Sequence, residues 1–282
     1  MKPTRATTRD GVSVALHDLG GNGPDALLMH AAGFHGRVLG PLAQGLSGRL
    51  HCVAPDLRGH GESGISHEVN FDWSGFALDV LAAVDALGLH RPLGVGHSCG
   101  ASALLFAEEA RPGTFSSLYC FEPILLPLDA VPSPSPGEPL AIRARQRRET
   151  FASRKDAYAN YASKPPLDTL APEVLAAYVE FGFDELPDGS VRLRCLGDNE
   201  ARIYEHVPCD PGLSRLASVS CPVVVACGAQ SQTLSPAAAE LLAGCLVKGS
   251  VEVLPGMGHF GPLEQPGVVA ASVLRSLDPP PA

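Results

Sequence analysis

The sequence lacks any apolar run long enough to cross a membrane. A transmembrane helix needs about 20 consecutive, mostly apolar residues, and polar residues interrupt every apolar stretch of this 282-residue chain well before that length. The N-terminal stretch MKPTRATTRDGVSV also lacks the apolar segment of a secretory signal. We therefore expect a cytoplasmic protein that is neither exported nor inserted into a membrane.

The chain is poor in charge, and the charge that it has is mostly acidic. Charged residues make up 18% of the sequence, and the net charge is -9. Proteins that bind nucleic acids usually present a basic face, so we expect no nucleic-acid partner. Hydrophobic residues make up 45%, which is enough for the core of one α/β domain that carries an insertion.

No group of cysteines and histidines has the spacing of a zinc site. The eight cysteines, at positions 52, 99, 120, 195, 209, 221, 227 and 245, include no Cys-x-x-Cys pair. In a chain of this size without an export signal, we interpret them as reduced thiols. The sequence therefore predicts no metal and implies no cofactor.

Short apolar runs alternate with helical patterns over most of the chain. DALLMH, PLGVGHS, SSLYCFEP and CPVVVACG are predicted strands, and DWSGFALDVLAAVDALGL has apolar residues at helical spacing. SPAAAELLAG is a predicted helix with Ser235 as its N-cap. This alternation predicts an α/β protein with a mostly parallel, twisted sheet and helices on both faces.

The alternation stops between about residues 127 and 212. A Pro/Ser-rich stretch, VPSPSPGEP, is followed there by helical segments that contain most of the tyrosines. We expect residues 1–126 and 213–282 to form the core and residues 127–212 to form a mainly helical cap, or lid, over the sheet. An arginine run in this segment predicts a solvated helix face, with a docking site for an anionic substrate as the alternative: Arg143, Arg145, Arg147 and Arg148.

The stretch GVGHSCGA contains Gly-x-Ser-x-Gly between a predicted strand and a predicted helix. In this setting the small residues let the chain turn sharply and lift the hydroxyl of Ser98 out of the fold. The backbone N–H of Cys99, at the helix N-terminus, then points to where an oxyanion would form. Ser98 is therefore a predicted nucleophile, against the alternative of an ordinary strand-helix turn.

With three further stretches, this motif resembles the α/β-hydrolase superfamily. LLMHAAGF resembles the loop that supplies the second oxyanion N–H, here Ala32, with Gly33 or Phe34 as alternatives because Ala31 stands where glycine is usual. APDLRGHGESG resembles the family's Asp-x-Arg-Gly-x-Gly-x-Ser loop, and LPGMGHFGPLEQP resembles the loop that delivers the catalytic histidine, here His259. The resemblance implies the α/β-hydrolase fold and a catalytic triad. Other polar residues of these loops are expected to hold them by hydrogen bonds: His30, Asp56, Arg58 and His60.

The acid that usually follows strand 7 in this family is missing. That turn is ACGAQSQTLSP here, and Ser231 stands in place of the acid. Some members supply the acid after strand 6, where this chain has Glu122 inside the apolar stretch LYCFEPILLP. We therefore predict a triad of Ser98, His259 and Glu122; the alternatives are a Glu122 that faces solvent or braces the cap, and a dyad without an acid. Because no acid is lost there, we expect Ser231→Ala to be nearly silent.

The resemblance implies a serine hydrolase, an esterase or lactonase, that cleaves a small apolar ester or lactone through an acyl-enzyme. Hydrolysis of a C–C bond, and acyl transfer or cyclisation, are alternatives that use the same triad. A ligand-binding protein without catalysis is the alternative outside enzymes, because a fold does not fix a function. A monomer and a homodimer both remain open.

Overall fold

The computed structural model describes residues 4–65, 71–125, 138–207 and 211–277. The Pro/Ser-rich stretch predicted near the start of the insertion lies outside these ranges, apart from residues 138 and 139. The strands are β1 (Thr4–Thr7), β2 (Ser13–Gly21), β3 (Asp25–Met29), β4 (His51–Pro55), β5 (Leu93–His97), β6 (Ser117–Phe121), β7 (Thr150–Phe151), β8 (Phe183–Glu185), β9 (Val191–Leu193), β10 (Val223–Gly228) and β11 (Gly249–Leu254). The helices are α1 (Gly40–Leu46), α2 (Trp73–Ala86), α3 (Cys99–Ala110), α4 (Glu138–Arg145), α5 (Arg154–Ala162), α6 (Pro172–Phe181), α7 (Gly197–Glu205), α8 (Pro236–Gly244), α9 (Gly261–Glu264) and α10 (Pro266–Leu277).

Eight strands form one sheet, in the order β1-β2-β4-β3-β5-β6-β10-β11. β2 is antiparallel to both of its neighbours, and every pair from β4 to β11 is parallel. The predicted fold class, a mostly parallel sheet in an α/β protein, is confirmed. Because parallel strands end at the same edge, the segments that follow β3, β5, β6, β10 and β11 start near one another.

Helix starts follow the capping rules for polar side chains. The Asp72 carboxylate accepts the N–H of Ser74 at the start of α2. The Ser235 hydroxyl accepts the N–H of Ala238 at the start of α8, where Pro236 is the first helical residue, and the predicted N-cap is thus confirmed. Of the helices in the described ranges, none is both long and apolar enough to cross a membrane.

Alternate residues of β3 enter two different apolar clusters. Leu27 and Met29 belong to one cluster, and Ala26 and Leu28 belong to the other. Successive side chains of a strand point to opposite faces of its sheet, so the two clusters lie on opposite faces. Residues of α2, α3 and α8 complete the first cluster, and residues of α1 and α10 contribute to the second. Helices therefore cover both faces of the sheet, as the sequence pattern predicted.

The inserted segment, residues 138–207, contains helices α4 to α7 and a second sheet. This small antiparallel sheet has the order β7-β9-β8. The sequence predicted a mainly helical insertion and did not predict these strands. The strands have only 2 or 3 residues each, which is too short for an alternating pattern to be recognised. Buried aromatic rings pack between the small sheet and the helices: Phe151, Tyr161, Tyr178 and Phe183.

A buried ion pair fixes the loop after β4 to helix α2. The Arg58 guanidinium and the Asp79 carboxylate are both 0% exposed, and their closest atoms are 2.8 Å apart. The Arg58 backbone N–H also donates to Asp79 at 2.8 Å. A second carboxylate, Asp10, binds the guanidinium from the N-terminal segment. Arg58 thus holds its loop by hydrogen bonds, as expected from the sequence.

Removing the Arg58 side chain should destabilise the protein far more than removing an exposed arginine. Arg58→Met leaves the buried Asp79 charge unpaired, and we expect the free energy of unfolding to fall by about 3–5 kcal/mol. Arg111→Met is the matched control, because the Arg111–Asp85 pair is 39% and 62% exposed, and exposed pairs contribute less than about 1 kcal/mol. Urea unfolding measures both; equal losses would refute the role given to the buried pair.

Candidate active site

Ser98 is the single residue that joins β5 to α3. Its backbone has φ 55° and ψ -121°, a conformation that residues other than glycine rarely adopt. The Ser98 N–H donates to the carbonyl oxygen of Phe121 at 2.9 Å, so the end of β6 helps to hold this strained turn. A sharp strand-to-helix turn is the geometry that Gly-x-Ser-x-Gly needs to present a serine at the sheet edge.

Both glycines of this motif are required by close packing. A Cβ at Gly96 would lie 2.5 Å from the Ala101 Cα, and a Cβ at Gly100 would lie 2.5 Å from the carbonyl oxygen of His30. These approaches are too short for any side chain, so the first turn of α3 packs directly on the loop after β3. We call residues 30–35, which follow β3, the β3 loop.

The predicted oxyanion donors Ala32 and Cys99 belong to two segments that pack on each other, the β3 loop and the first turn of α3. Cys99 is the first residue of α3, and an N–H at this position has no acceptor within its own helix. Burial raises the pKa of the Cys99 thiol, and the backbone N–H of Ala32 opposes that rise because it faces the sulfur. Sulfur is a weak acceptor, so the Ala32 N–H has no strong partner in the described part of the chain.

The two alternative donors in the β3 loop are already engaged. The Gly33 N–H donates to His60 Nε2 at 3.0 Å, and the Phe34 N–H donates to the Ala31 carbonyl oxygen at 3.2 Å. Neither N–H is available to a substrate oxygen in this conformation. Ala32 is therefore the donor of the three that the geometry favours.

Buried histidines hold the β3 loop against the loop after β4. His30 Nε2 accepts the Leu57 N–H at 3.0 Å, and His60 Nε2 accepts the Gly33 N–H at the same distance. Burial lowers the pKa of His30 to about 3 and also lowers the pKa of His60. Both rings are neutral at pH 7, which leaves each Nε2 free to accept, and both brace loops as the sequence predicted.

Asp56, in the loop after β4, binds the start of the segment that follows the β3 loop. Its carboxylate accepts the backbone N–H of Gly36 and of Glu62, each at 2.7 Å. It also binds His17 Nε2 at 2.8 Å. Desolvation opposes the charge on the Asp56 carboxylate, but hydrogen bonds and nearby histidines outweigh it and lower its pKa. Asp56 therefore braces these loops as an anion, in agreement with the prediction.

Glu122 follows β6 directly, and its side chain does not face solvent. The residue is 0% exposed and has φ 47°. Its Oε2 lies 2.7 Å from His259 Nδ1 and accepts the Ser231 hydroxyl at 2.7 Å. Its Oε1 accepts the Gly228 N–H at 3.0 Å. The buried carboxylate thus has three partners, which come from the end of β10, the turn after it and the loop after β11.

His259 lies in the loop between β11 and α9, and its side chain is 20% exposed. Glu122 engages Nδ1, and Nε2 has no hydrogen-bond partner among the described residues. His97, next to Ser98 in the chain, donates from Nε2 to the His259 carbonyl oxygen at 2.8 Å. The two imidazole rings are 5.0 Å apart. The structure therefore brings Ser98, His259 and Glu122 to one place at the sheet edge.

The sequence did not single out His97, the second residue of the Gly-x-Ser-x-Gly motif. Burial, together with the neighbouring His259, keeps the pKa of His97 well below its usual value. Its imidazole is therefore neutral at pH 7, and the proton on Nε2 is used in the hydrogen bond to the His259 loop. Only the contact with a loop 162 positions later in the chain gives this residue its role.

Arg147 brings charge from the inserted segment to the β3 loop. Its guanidinium donates to the Glu200 carboxylate and to the Tyr178 hydroxyl, the latter at 2.6 Å. A Cβ at Gly33 would lie 2.6 Å from Glu200 Oε1 and 3.4 Å from Arg147 Nη1. The Tyr178 ring is 5.4 Å from the ring of Phe34. The ion pair therefore packs on the loop that contains Ala32.

The predicted solvated arginine face holds for three members of the run and is wrong for Arg147. Arg143, Arg145 and Arg148 are exposed, and Arg145 pairs with two exposed acids of α7. The Arg147 side chain is only 20% exposed. Helix α4 ends at Arg145, so Arg147 leaves the helical face and turns inward. Among the described residues, no group of three or more His, Cys, Asp or Glu side chains is arranged to hold a metal.

Comparisons with known proteins agree with this architecture. The profile of the alpha/beta hydrolase family matches residues 26–272. The chain is 25% identical over 262 residues to 2-(acetamidomethylene)succinate hydrolase of Mesorhizobium japonicum, which covers 92% of this chain and 89% of that protein. It is 26% identical to a non-heme chloroperoxidase of Streptomyces lividans, over 88% and 91%. The crystal structure of E-2-(acetamidomethylene)succinate hydrolase superposes with a TM-score of 0.83 at 23% identity, over 98% of both chains.

Glu122→Gln tests whether the charge that faces His259 Nδ1 matters. The substitution keeps the shape of the side chain but removes the anion that would stabilise a protonated imidazole, so kcat for an aryl ester should fall by up to about 10⁴-fold. Glu149→Gln is a control at a partly buried glutamate whose carboxylate accepts the Gly197 N–H at 2.8 Å. Unchanged kcat in Glu122→Gln would remove Glu122 from the reaction.

Proposed function

The chain belongs to the alpha/beta hydrolase family, and on that premise we propose that it is a serine hydrolase that cleaves an ester or lactone. The observation that carries the proposal is the buried Glu122 carboxylate 2.7 Å from His259 Nδ1, beside the strained turn at Ser98. An imidazole held in this way has a fixed tautomer, with Nε2 unprotonated and able to take a proton from a hydroxyl.

In the proposed reaction Ser98 Oγ attacks the carbonyl carbon while His259 Nε2 takes the hydroxyl proton. The carbonyl oxygen becomes an oxyanion, which the N–H groups of Ala32 and Cys99 stabilise. His259 then gives its proton to the leaving alcohol, and an acyl-enzyme on Ser98 remains. A water molecule, deprotonated by His259, then attacks the acyl carbon; the bond to Ser98 Oγ breaks, His259 returns the proton to Oγ, and the acid leaves. Glu122 stays ionised throughout and stabilises the imidazolium.

The proposal includes a cap and a location. Residues 127–212 would close over the serine; in support, Tyr178 of α6 packs on Phe34 of the β3 loop, and Phe34 lies 6.1 Å from Phe260, ring to ring. These rings suit a small apolar substrate.

A cytoplasmic location is supported by the cysteines of the described residues, which are all free thiols, six of them buried.

Ser98→Ala tests the nucleophile. The turn conformation does not depend on the hydroxyl, so folding should persist while ester turnover falls by about 10⁴-fold or more. A fluorophosphonate probe should label the parent protein and not the variant, because only an activated serine reacts. Ser116→Ala serves as the control at a serine outside the site. A parent protein that resists labelling would favour the ligand-binding alternative, and turnover within tenfold of the parent would exclude Ser98 as the nucleophile.

A second candidate function is hydrolysis of an amide or ester that carries a carboxylate. The name of the Mesorhizobium relative describes an acetamido derivative of succinate, a dicarboxylate. In this chain the observation that favours the candidate is Arg147, whose side chain is 20% exposed and lies against the β3 loop. Its N–H groups bind Glu200 and Tyr178, and Tyr161 also interacts with the guanidinium. With five N–H groups, an arginine can still offer donors to a carboxylate.

Two aryl esters that differ in charge separate the candidates. Under the second candidate, Arg147→Met raises KM for an aryl hemisuccinate by about tenfold or more, the effect of losing a charge-assisted hydrogen bond. The aryl butyrate, which has no carboxylate, should change little. Arg147→Met with Glu200→Gln repeats the test without an orphaned Glu200 charge, and Arg145→Met is the exposed control. Equal changes for both esters would reject the carboxylate substrate and leave the apolar ester.

A further inference from the structure

Ser231 lies in the turn after β10, with its hydroxyl fully hydrogen-bonded. Its Oγ accepts the backbone N–H of Thr233 at 3.1 Å and of Leu234 at 3.4 Å. A hydroxyl oxygen has two lone pairs and one proton. Because the turn uses the lone pairs, the proton is left for one direction, and it is donated to Glu122 Oε2 at 2.7 Å.

The turn that carries Ser231 is tied to the loop that carries His259. The Gln230 N–H donates to the carbonyl oxygen of Met257 at 2.9 Å. Gly228 allows this approach, since a Cβ there would overlap the same carbonyl oxygen. Ser231 is therefore a donor of fixed direction on a fixed backbone, not an exposed hydroxyl that reaches Glu122 by chance.

We infer that Ser231 is a positioning residue that acts on His259 through Glu122. Its hydroxyl and the Gly228 N–H hold the two carboxylate oxygens from one side, so Oε2 stays in line with His259 Nδ1. Without the hydroxyl, a buried anion loses one of three donors, and such a group is costly to leave unsatisfied. The carboxylate then rotates or shifts, and the imidazole loses its fixed orientation. The inference rests on the proposed serine hydrolase function.

This inference reverses the expectation that Ser231→Ala is nearly silent. That expectation followed from the absence of an acid at position 231. In the structure the position is occupied by a donor because the acid, Glu122, approaches from β6 instead. Ser231 donates its hydrogen bond to Glu122, whereas an acid in the turn after β10 would accept one from the histidine.

Three variants, and a fourth as a substitute for the first, test the role of the hydroxyl. Ser231→Ala should lower kcat by about tenfold, the effect of one hydrogen bond to a buried charge, with KM nearly unchanged. Ser231→Thr keeps a hydroxyl and should recover most of the loss. Gln232→Ala, in the same turn, should behave as the parent. The melting temperature separates a loss of the turn from a loss of orientation.

If the alanine substitution unfolds the turn, Ser231→Cys takes the place of Ser231→Ala, because a thiol is a weak donor of similar shape. Parental kcat in the folded alanine or cysteine variant would overturn the inference.

A double-mutant cycle with Glu122→Gln separates this inference from the proposed function. If Ser231 acts through the carboxylate, Ser231→Ala should cost less than about twofold in the Glu122→Gln background. Multiplied losses would show that Ser231 acts elsewhere and would reject the inference alone. If instead Ser98→Ala and Glu122→Gln keep full activity, the proposed function itself fails.

The low-field proton resonance of His259 Nδ1–H gives a readout without substrate. Its chemical shift should change in Ser231→Ala and stay the same in Ser231→Thr. An unmoved resonance in the alanine variant would contradict the inference.

Discussion

The site depends on one constraint, a carboxylate with no exposure at the end of β6. Glu122 has φ 47°, a conformation that costs a residue other than glycine about 1–2 kcal/mol, and its charge is costly to bury. Both costs are offset only where hydrogen-bond donors converge on the carboxylate. These donors come from Gly228, Ser231 and His259. The parallel strands bring these donors together, because β6, β10 and β11 are neighbours that end at the same edge.

The same principle of satisfied buried groups organises the loops around this centre. Burial keeps the rings of His30, His60 and His97 neutral. In His30 and His60 one nitrogen donates and the other accepts, whereas His97 donates from Nε2. His60 accepts a hydrogen bond from the Gly33 N–H, so the geometry favours Ala32 over Gly33 as the oxyanion donor. These contacts join the loop after β3 to the loop after β4, and His97 joins the Ser98 turn to the His259 loop.

The inserted segment adds a feature that the sheet alone would not have. The Arg147–Glu200 ion pair of this segment packs against Gly33, which has φ 79°. A Cβ at Gly33 would overlap the Glu200 carboxylate. The paired charges make this contact electrostatically balanced, and the Arg147 side chain is 20% exposed. Aromatic rings surround it. The segment therefore places aromatic rings and a charged side chain against the β3 loop, and the two proposed substrate classes differ in which of these they would use.

Local pattern was sufficient for much of this protein. Apolar periodicity predicted the large sheet and its helices, the Ser-Pro pair predicted the N-cap at Ser235, and the Gly-x-Ser-x-Gly motif predicted the turn at Ser98. Each of these signals depends on residues a few positions apart. An isolated glutamate in an apolar stretch also marked Glu122 as needing a partner, and family resemblance suggested His259. The strands of the small sheet were too short to leave a pattern. The roles of Ser231, His97 and Arg147 arise from contacts with residues 53 to 162 positions away, and no local rule specifies such pairs. Only the packing of the strand ends and of the insertion decided which of these groups meet.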